Sequence, residues 1–332
     1  MGMYFGDLHN HCGITYGYGG LKNALEAARK QLDFCTVTPH AMWPDIPEKT
    51  KENEYLVSYH TNAFDKIQKN WNEVKNCIES YNKDESFVTF HSFEMHSSHY
   101  GDHHFVSPSN KLELIYGKNP QEIVSKQSCP TIAIPHHIGY CPEYRGINWD
   151  AFDARISPVV EVYSKHGCAL NDTGYQGYYH TMGPKDSRNT AYAGLSLGNQ
   201  FSFVASTDHH AGFPGSYGDG RLAVFAPNKT RDSIWKAINE GKTYAITGDK
   251  IICDLSVNGY GFGSKIPLEQ SKRTLAYRVE ASDAIERVLI CKNLKPLYVL
   301  DGFLFAETRD DTRYKIRLEL GWGDEKDAYT WE

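Results

Sequence analysis

Short apolar runs with the character of β-strands recur along this chain, and each delivers a His, Asp or Glu at or near its C-terminal end. The first, Met3 to Leu8, runs into Asp7-Leu8-His9-Asn10-His11, and the last, Phe201 to Ala205, runs into Thr207-Asp208-His209-His210. Between them lie Phe34 to Thr38 ending at His40, Phe87 to Phe90 ahead of Glu94, and Tyr100-Gly101-Asp102-His103-His104. Thr131 to Ile134 then leads to His136 and His137, and Val159 to Tyr163 contains Glu161. Successive strand side chains point to opposite faces, so His9 and His11 share a face and can grip one ion. An isolated His-x-His pair is as readily two hydrogen-bonded strand-end histidines. Repetition at every later strand is what points to a metal site, because strand C-terminal ends are where barrel active sites are built.

The elements between these runs have helical spacing. Leu21, Ala24, Leu25, Ala28 and Leu32 recur as one apolar face, a long polar and aromatic helix or helix pair is expected from about Glu54 to Tyr81, and another helix from Thr230 to Glu240. Alternating strands and helices predict an α/β architecture over residues 1–249. A Gly- and Tyr-rich passage from Asn171 to Arg188 lacks periodicity and is expected to be a loop or lid. From residue 250 to 332 the texture changes to short alternating runs, Ile252 to Val257, Leu275 to Ala281, Arg287 to Cys291, Leu297 to Leu300 and Tyr314 to Leu320. These predict a small antiparallel, sandwich-like β domain, which could complete the pocket edge, mediate an oligomer or be a remnant of a longer module.

Charge and cysteine content narrow the setting. A net charge of -6 among 332 residues provides no basic field for nucleic acid or an anionic membrane, so neither partner is expected, and the substrate is read as a small molecule. Eight cysteines contain no Cys-x-x-Cys pair, which argues against a zinc knot or redox motif and fits reduced thiols in the cytoplasm. No removable leader precedes the first ligand at His9, and no apolar run approaches the ~18 residues of a membrane span. Donors of mixed imidazole and carboxylate type suit zinc, manganese or iron.

Together the motifs resemble those of the polymerase and histidinol phosphatase (PHP) superfamily of metal-dependent phosphoesterases. Asp7-Leu8-His9-Asn10-His11 is similar to its first motif, Val37-Thr38-Pro39-His40 to the second, Phe93-Glu94 to the third, Ile134-Pro135-His136 to the fourth and Thr207-Asp208-His209-His210 to the last. The match is closest to a bacterial branch with a C-terminal β tail. The resemblance implies a distorted (β/α)7 barrel with two, at most three, divalent transition metal ions in its mouth. It implies that His9, His11, Glu94 and Asp208 hold one ion, with Glu94 bridging to a second held by His103 and His136. His40 and His210 are similar to ligands of a third site, but Pro39 stands where that motif usually has Asp, and Thr15-Tyr16-Gly17 lacks the usual third-site ligand.

The chemistry so implied is hydrolysis. Two ions about 3.5–4 Å apart would lower the pKa of a bridging water, with Asp208 and His210 as the catalytic side chains. His166, Arg145 and Arg221 are the candidates for binding substrate, the arginines through bidentate hydrogen bonds to phosphate or carboxylate. A small phosphoester is the expected substrate. The alternatives are a carbamate or carboxylic ester attacked by the same centre, and an inactive barrel that serves as a binding module.

Overall fold

A computed structural model of the chain describes residues 1–172, 182–267 and 271–301. In chain order the first elements are β1 (Gly2–Asp7), α1 (Leu21–Arg29), β2 (Phe34–Cys35), β3 (His40–Met42), α2 (Glu54–Tyr81), β4 (Val88–Thr89), β5 (His91–Met95) and β6 (His103–Ser107). There follow α3 (Pro120–Lys126), β7 (Ile132–Pro135), β8 (Val159–Ser164), β9 (Gly167–Cys168), α4 (Ala191–Ser196) and β10 (Ser202–Ala205). The remaining elements are β11 (Arg221–Ala226), α5 (Arg231–Asn239), β12 (Thr243–Ile246), β13 (Ile252–Val257), β14 (Leu275–Glu280), β15 (Arg287–Lys292) and β16 (Lys295–Asp301).

The mixed α/β character is as expected. The strands pair as a five-stranded sheet β12-β11-β1-β2-β4, a four-stranded sheet β3-β5-β6-β7 and a three-stranded sheet β10-β8-β9. Among the described residues no ladder closes on itself, so the pairings do not draw a seven-stranded ring. Two crossings account for the split. After β2 the chain passes Pro39, which has no N–H to donate to a ladder, and starts β3 in the next sheet. At Phe90 it makes the same move from β4 to β5. The parallel pair β2 and β4 is thus continued by a second parallel pair, β3 and β5, in a different sheet.

One apolar core joins these sheets. Leu8, Phe34, Val88, Val106, Ile132, Val159, Val204 and Leu222 pack together, buried, from strands of all three. A second cluster fixes the helices: Ile67, Trp71, Val74 and Ile78, on one face of α2, pack with Leu25 of α1 and with Phe93, Phe105 and Ala133 of the four-stranded sheet. Burying a side chain of this size contributes about 1.5–3 kcal/mol, which is what holds the strand ends in place.

The chain divides into two compact units, Met1–Ser282 and Asp283–Glu332. The described part of the second unit contains the antiparallel pair β15 and β16. The expected strand from Tyr314 to Leu320, and half of the expected lid from Asn171 to Arg188, lie outside the described residues. No helix among the described residues is long and apolar enough to cross a membrane.

Candidate metal centre

Two segments distant in sequence are laced together at the C-terminal end of β1. The N–H of Asp208 donates to the His9 carbonyl at 2.8 Å, the N–H of His11 donates to the His209 carbonyl at 2.8 Å, and Asn10 and His209 form a parallel bridge. Asp7 stiffens the joint. Its buried carboxylate accepts from the N–H groups of His9, Thr207 and Gly215 and from the Thr207 hydroxyl. Asp208 itself sits at φ 50°, a conformation a non-glycine residue rarely holds without such support.

Register builds the opposite wall. His40 pairs with Glu94 across β3 and β5, and Glu94 pairs with His104 across β5 and β6, so the three side chains form a row on one face. Glu94 is the hub. Its Oε1 lies 3.2 Å from His136 Nε2 and 3.2 Å from His96 Nδ1, while its Oε2 lies 3.4 Å from both His9 Nε2 and His11 Nε2 and 3.6 Å from His40 Nε2. Asp208 Oδ1 is 3.0 Å from His11 Nε2, and its Oδ2 is 3.0 Å from His166 Nε2. His9, His11 and Asp208 form one compact donor group, His9, His104 and His136 another, and His11, His40 and His210 a third.

His104, rather than the expected His103, faces the donor cluster. Neighbouring positions on β6 face opposite ways, so only one of the two histidines can share the face of Glu94. His103 Nδ1 instead hydrogen-bonds the Gly101 carbonyl at 2.9 Å, and its ring lines a separate crevice with Tyr100 and Ile147. Gly101 makes the turn that allows this at φ 82°, where a Cβ would come within 2.8 Å of the Gly146 carbonyl. Arg221 is likewise outside the site: its Nε donates to the Gly215 carbonyl at 2.8 Å and its Nη2 to Gln31 Oε1 at 3.0 Å. Being in β11, it braces the loop behind Asp7 rather than facing the cavity.

The donor set fits cations. His11 Nε2 lies 3.1 Å from His9 Nε2, and two imidazole nitrogens converge this closely only around a shared proton or ion. His104 Nε2 and His11 Nδ1 are buried with no hydrogen-bond partner among the described residues. Burial, reinforced by neighbouring imidazoles, holds His40, His104 and His136 well below the ordinary imidazole value, and brings His210 to about 3. For Asp208 and Glu94 burial pushes upward but is outweighed by the surrounding histidines, leaving both carboxylates well below their usual range. Neutral imidazoles aimed at ionised carboxylates are the ligand state of a metal site. His9 is the exception. Burial would lower its pKa, yet Asp208 and Glu161 together raise it well above the ordinary value, and a cation would replace that proton.

A cavity of about 400 Å³ opens onto the cluster, lined by Glu94, His136, Asp208 and His210 on the donor side and by Tyr16, Arg145, Lys165 and His166 around them. Arg145 is held at φ 65° with Nη1 2.8 Å from Asp102 Oδ2, and that carboxylate also takes His96 Nδ1 at 2.6 Å and His137 Nε2 at 3.2 Å. The Tyr16 hydroxyl is 2.7 Å from His96 Nε2, and its ring stacks on His40 at 3.7 Å. Tyr16 and Lys165 carry no local sequence signal for this placement; they follow motif positions by a few residues and enter through the turns.

No family model matches the chain. A stretch of 184 residues, half of the chain, is 27% identical to an uncharacterized protein of Chlamydia muridarum, and 253 residues are 21% identical to an uncharacterized protein of Chlamydia pneumoniae. The chain spans 30% and 40% of the length of these curated relatives. Among solved structures, a two-domain protein of Bacteroides vulgatus, described as containing a predicted PHP-like metal-dependent phosphoesterase, matches 90% of this chain and 95% of its own at 13% identity, with a TM-score of 0.47. The chain is similar to PHP-like metal-dependent phosphoesterases. A lesion-specific endonuclease of Pyrococcus furiosus matches 74% of this chain and 58% of its own at 11% identity, with a TM-score of 0.40. Endonuclease Q in complex with a 27-mer duplex bearing an abasic lesion matches at a TM-score of 0.41. This corrects the expectation of no nucleic-acid partner. The structural neighbours include an endonuclease in complex with DNA, and a net charge of -6 does not by itself exclude such a partner.

Proposed function

We propose that this chain is a PHP-type metal-dependent hydrolase acting on a small phosphoester. The observation that carries the reading is the Glu94 carboxylate, whose two oxygens face two different sets of imidazoles. In this reading His9, His11, Glu94 and Asp208 hold one ion, and Glu94, His104 and His136 hold a second. His40 and His210 flank the pair; the Thr15 hydroxyl lies 3.0 Å from His40 Nδ1, so the Nε2 edge of that ring is the one that faces Glu94. Zinc, manganese and iron suit this donor set. Bound divalent ions supply an activated water and neutralise charge on the reacting group.

The protein's own groups then handle position and protons. Asp208 Oδ2 accepts a proton from the attacking water, and His166 Nε2, 3.0 Å away, relays it while its Nδ1 is fixed by the Tyr140 hydroxyl at 2.9 Å. Arg145, pinned by Asp102, presents a cation to the substrate from the cavity wall. The free cysteines support a reducing compartment such as the cytoplasm.

The test is a metal analysis of the purified protein followed by a screen of phosphomonoesters, phosphodiesters including oligonucleotides, aryl esters and carbamates. Turnover of phosphoesters that is lost in Glu94→Gln together with bound metal supports the reading. Turnover confined to carbamates or carboxylic esters would overturn the substrate class, and metal-free protein that binds none on titration would overturn the mechanism.

A further inference from the structure

Two cationic side chains in the cavity wall, Arg145 and Lys165, are not needed to hold the donor cluster together. Arg145 is tied on one side only. Its Nη1 serves Asp102 and its plane lies over the Trp43 ring at 5.3 Å, but among the described residues Nη2 meets only the Met182 sulfur, a weak acceptor. Lys165 is the residue between β8 and His166. Its backbone N–H donates to the Thr207 carbonyl at 3.0 Å, which fixes the turn beside Asp208. The side chain is half-buried in the cavity wall and has no ion-pair partner among the described residues.

An ammonium in a cavity wall with no acid beside it is placed to meet an anion. Loading the centre with divalent ions adds positive charge facing the same cavity. An anion between the two wall cations is then favoured by both. The anionic oxygens of one phosphoester are already met at the donor cluster, so the two wall cations are available to something else. Resting on the hydrolase reading above, we infer that Arg145 Nη2 and Lys165 Nζ recognise a second anionic group, a carboxylate or phosphate carried beside the scissile phosphoester. The preferred substrates are then doubly anionic small molecules, and Lys165 is the residue that selects them.

The experiment measures binding to the metal-loaded protein by calorimetry with three unreactive probes: ethylphosphonate, phosphonoacetate and methylenediphosphonate. The first two differ only in a methyl against a carboxylate. Wild-type protein should prefer at least one doubly anionic probe over ethylphosphonate by roughly tenfold, the size of one charge-assisted hydrogen bond. Which probe wins distinguishes carboxylate from phosphate. Lys165→Met should abolish the preference while leaving metal content and ethylphosphonate affinity unchanged, and Lys165→Arg should restore most of it. Equal affinity of wild type for all three, a preference that survives Lys165→Met, or equal losses for all probes in that variant would each overturn the inference. Protein that takes up no metal and binds no probe would defeat the hydrolase reading itself, and this inference with it.

Discussion

Glu161 Oε2 lies 3.2 Å from Nδ1 of His9, on the opposite edge of the ring from the Nε2 that faces Glu94 and Asp208. Such a carboxylate fixes the tautomer and aim of a ligand imidazole and raises its basicity, and its loss typically weakens metal binding ten- to a hundredfold. Glu161→Gln should therefore lower metal affinity by about that factor while the chain stays folded, as read by titration against a competing chelator. Unchanged affinity would remove Glu161 from the site.

The two adjacent histidines of β6 should separate cleanly. His104→Ala is expected to lose one class of bound metal and most activity, because the ring stacks on His9 at 4.5 Å and points at the donor group. His103→Asn should keep full metal content and cost about 1 kcal/mol of stability through its lost hydrogen bond to Gly101. Metal content per folded chain is the readout, and the reverse result would restore His103 as the ligand.

Arg221 offers a control of the other kind. Replacing it with Met strips donors from the Gly215 carbonyl and from Gln31, and should lower stability by about 1–3 kcal/mol in urea unfolding. The Michaelis constant of the folded fraction should not move. A rise in that constant at unchanged stability would place Arg221 against substrate after all.

Removal of metal should destabilise the protein. A ligand bound to the native state alone adds about 2.7 kcal/mol at a free concentration one hundred times its dissociation constant, so dialysis against chelator should lower the unfolding midpoint and added metal should restore it. The Glu94→Gln variant should show little of this response. A thermal midpoint indifferent to chelator in wild type would argue against ions in the cluster.

Much of this was legible in the sequence. Strand and helix positions followed from periodicity, and α2 is one continuous helix over Glu54–Tyr81, where a long helix or a helix pair was expected. Each ligand-bearing run also lands at the cluster, because side chains at strand ends are placed by the strand. What stayed hidden depends on register and on turns. Whether His103 or His104 faces Glu94 is a difference of one residue in β6, which alternation resolves only once the pairing with β5 is known. The passage of the chain from one sheet to the next at Pro39 and Phe90 left no trace in hydrophobicity, since both segments remain buried. Lys165 and Tyr16 reach the cavity from turns whose course depends on tertiary contacts, and Arg221 looks from sequence like any other anion-binding candidate.

The lacing of residues 9–11 to residues 208–210 also has a bearing on biogenesis. A nascent chain that has emerged only as far as β8 carries most of the histidines but not the aspartate that closes the ring around them. High-affinity capture of metal should therefore be a late event in synthesis, and truncations ending before Asp208 should emerge as poor scavengers of the ion however well their first strands fold.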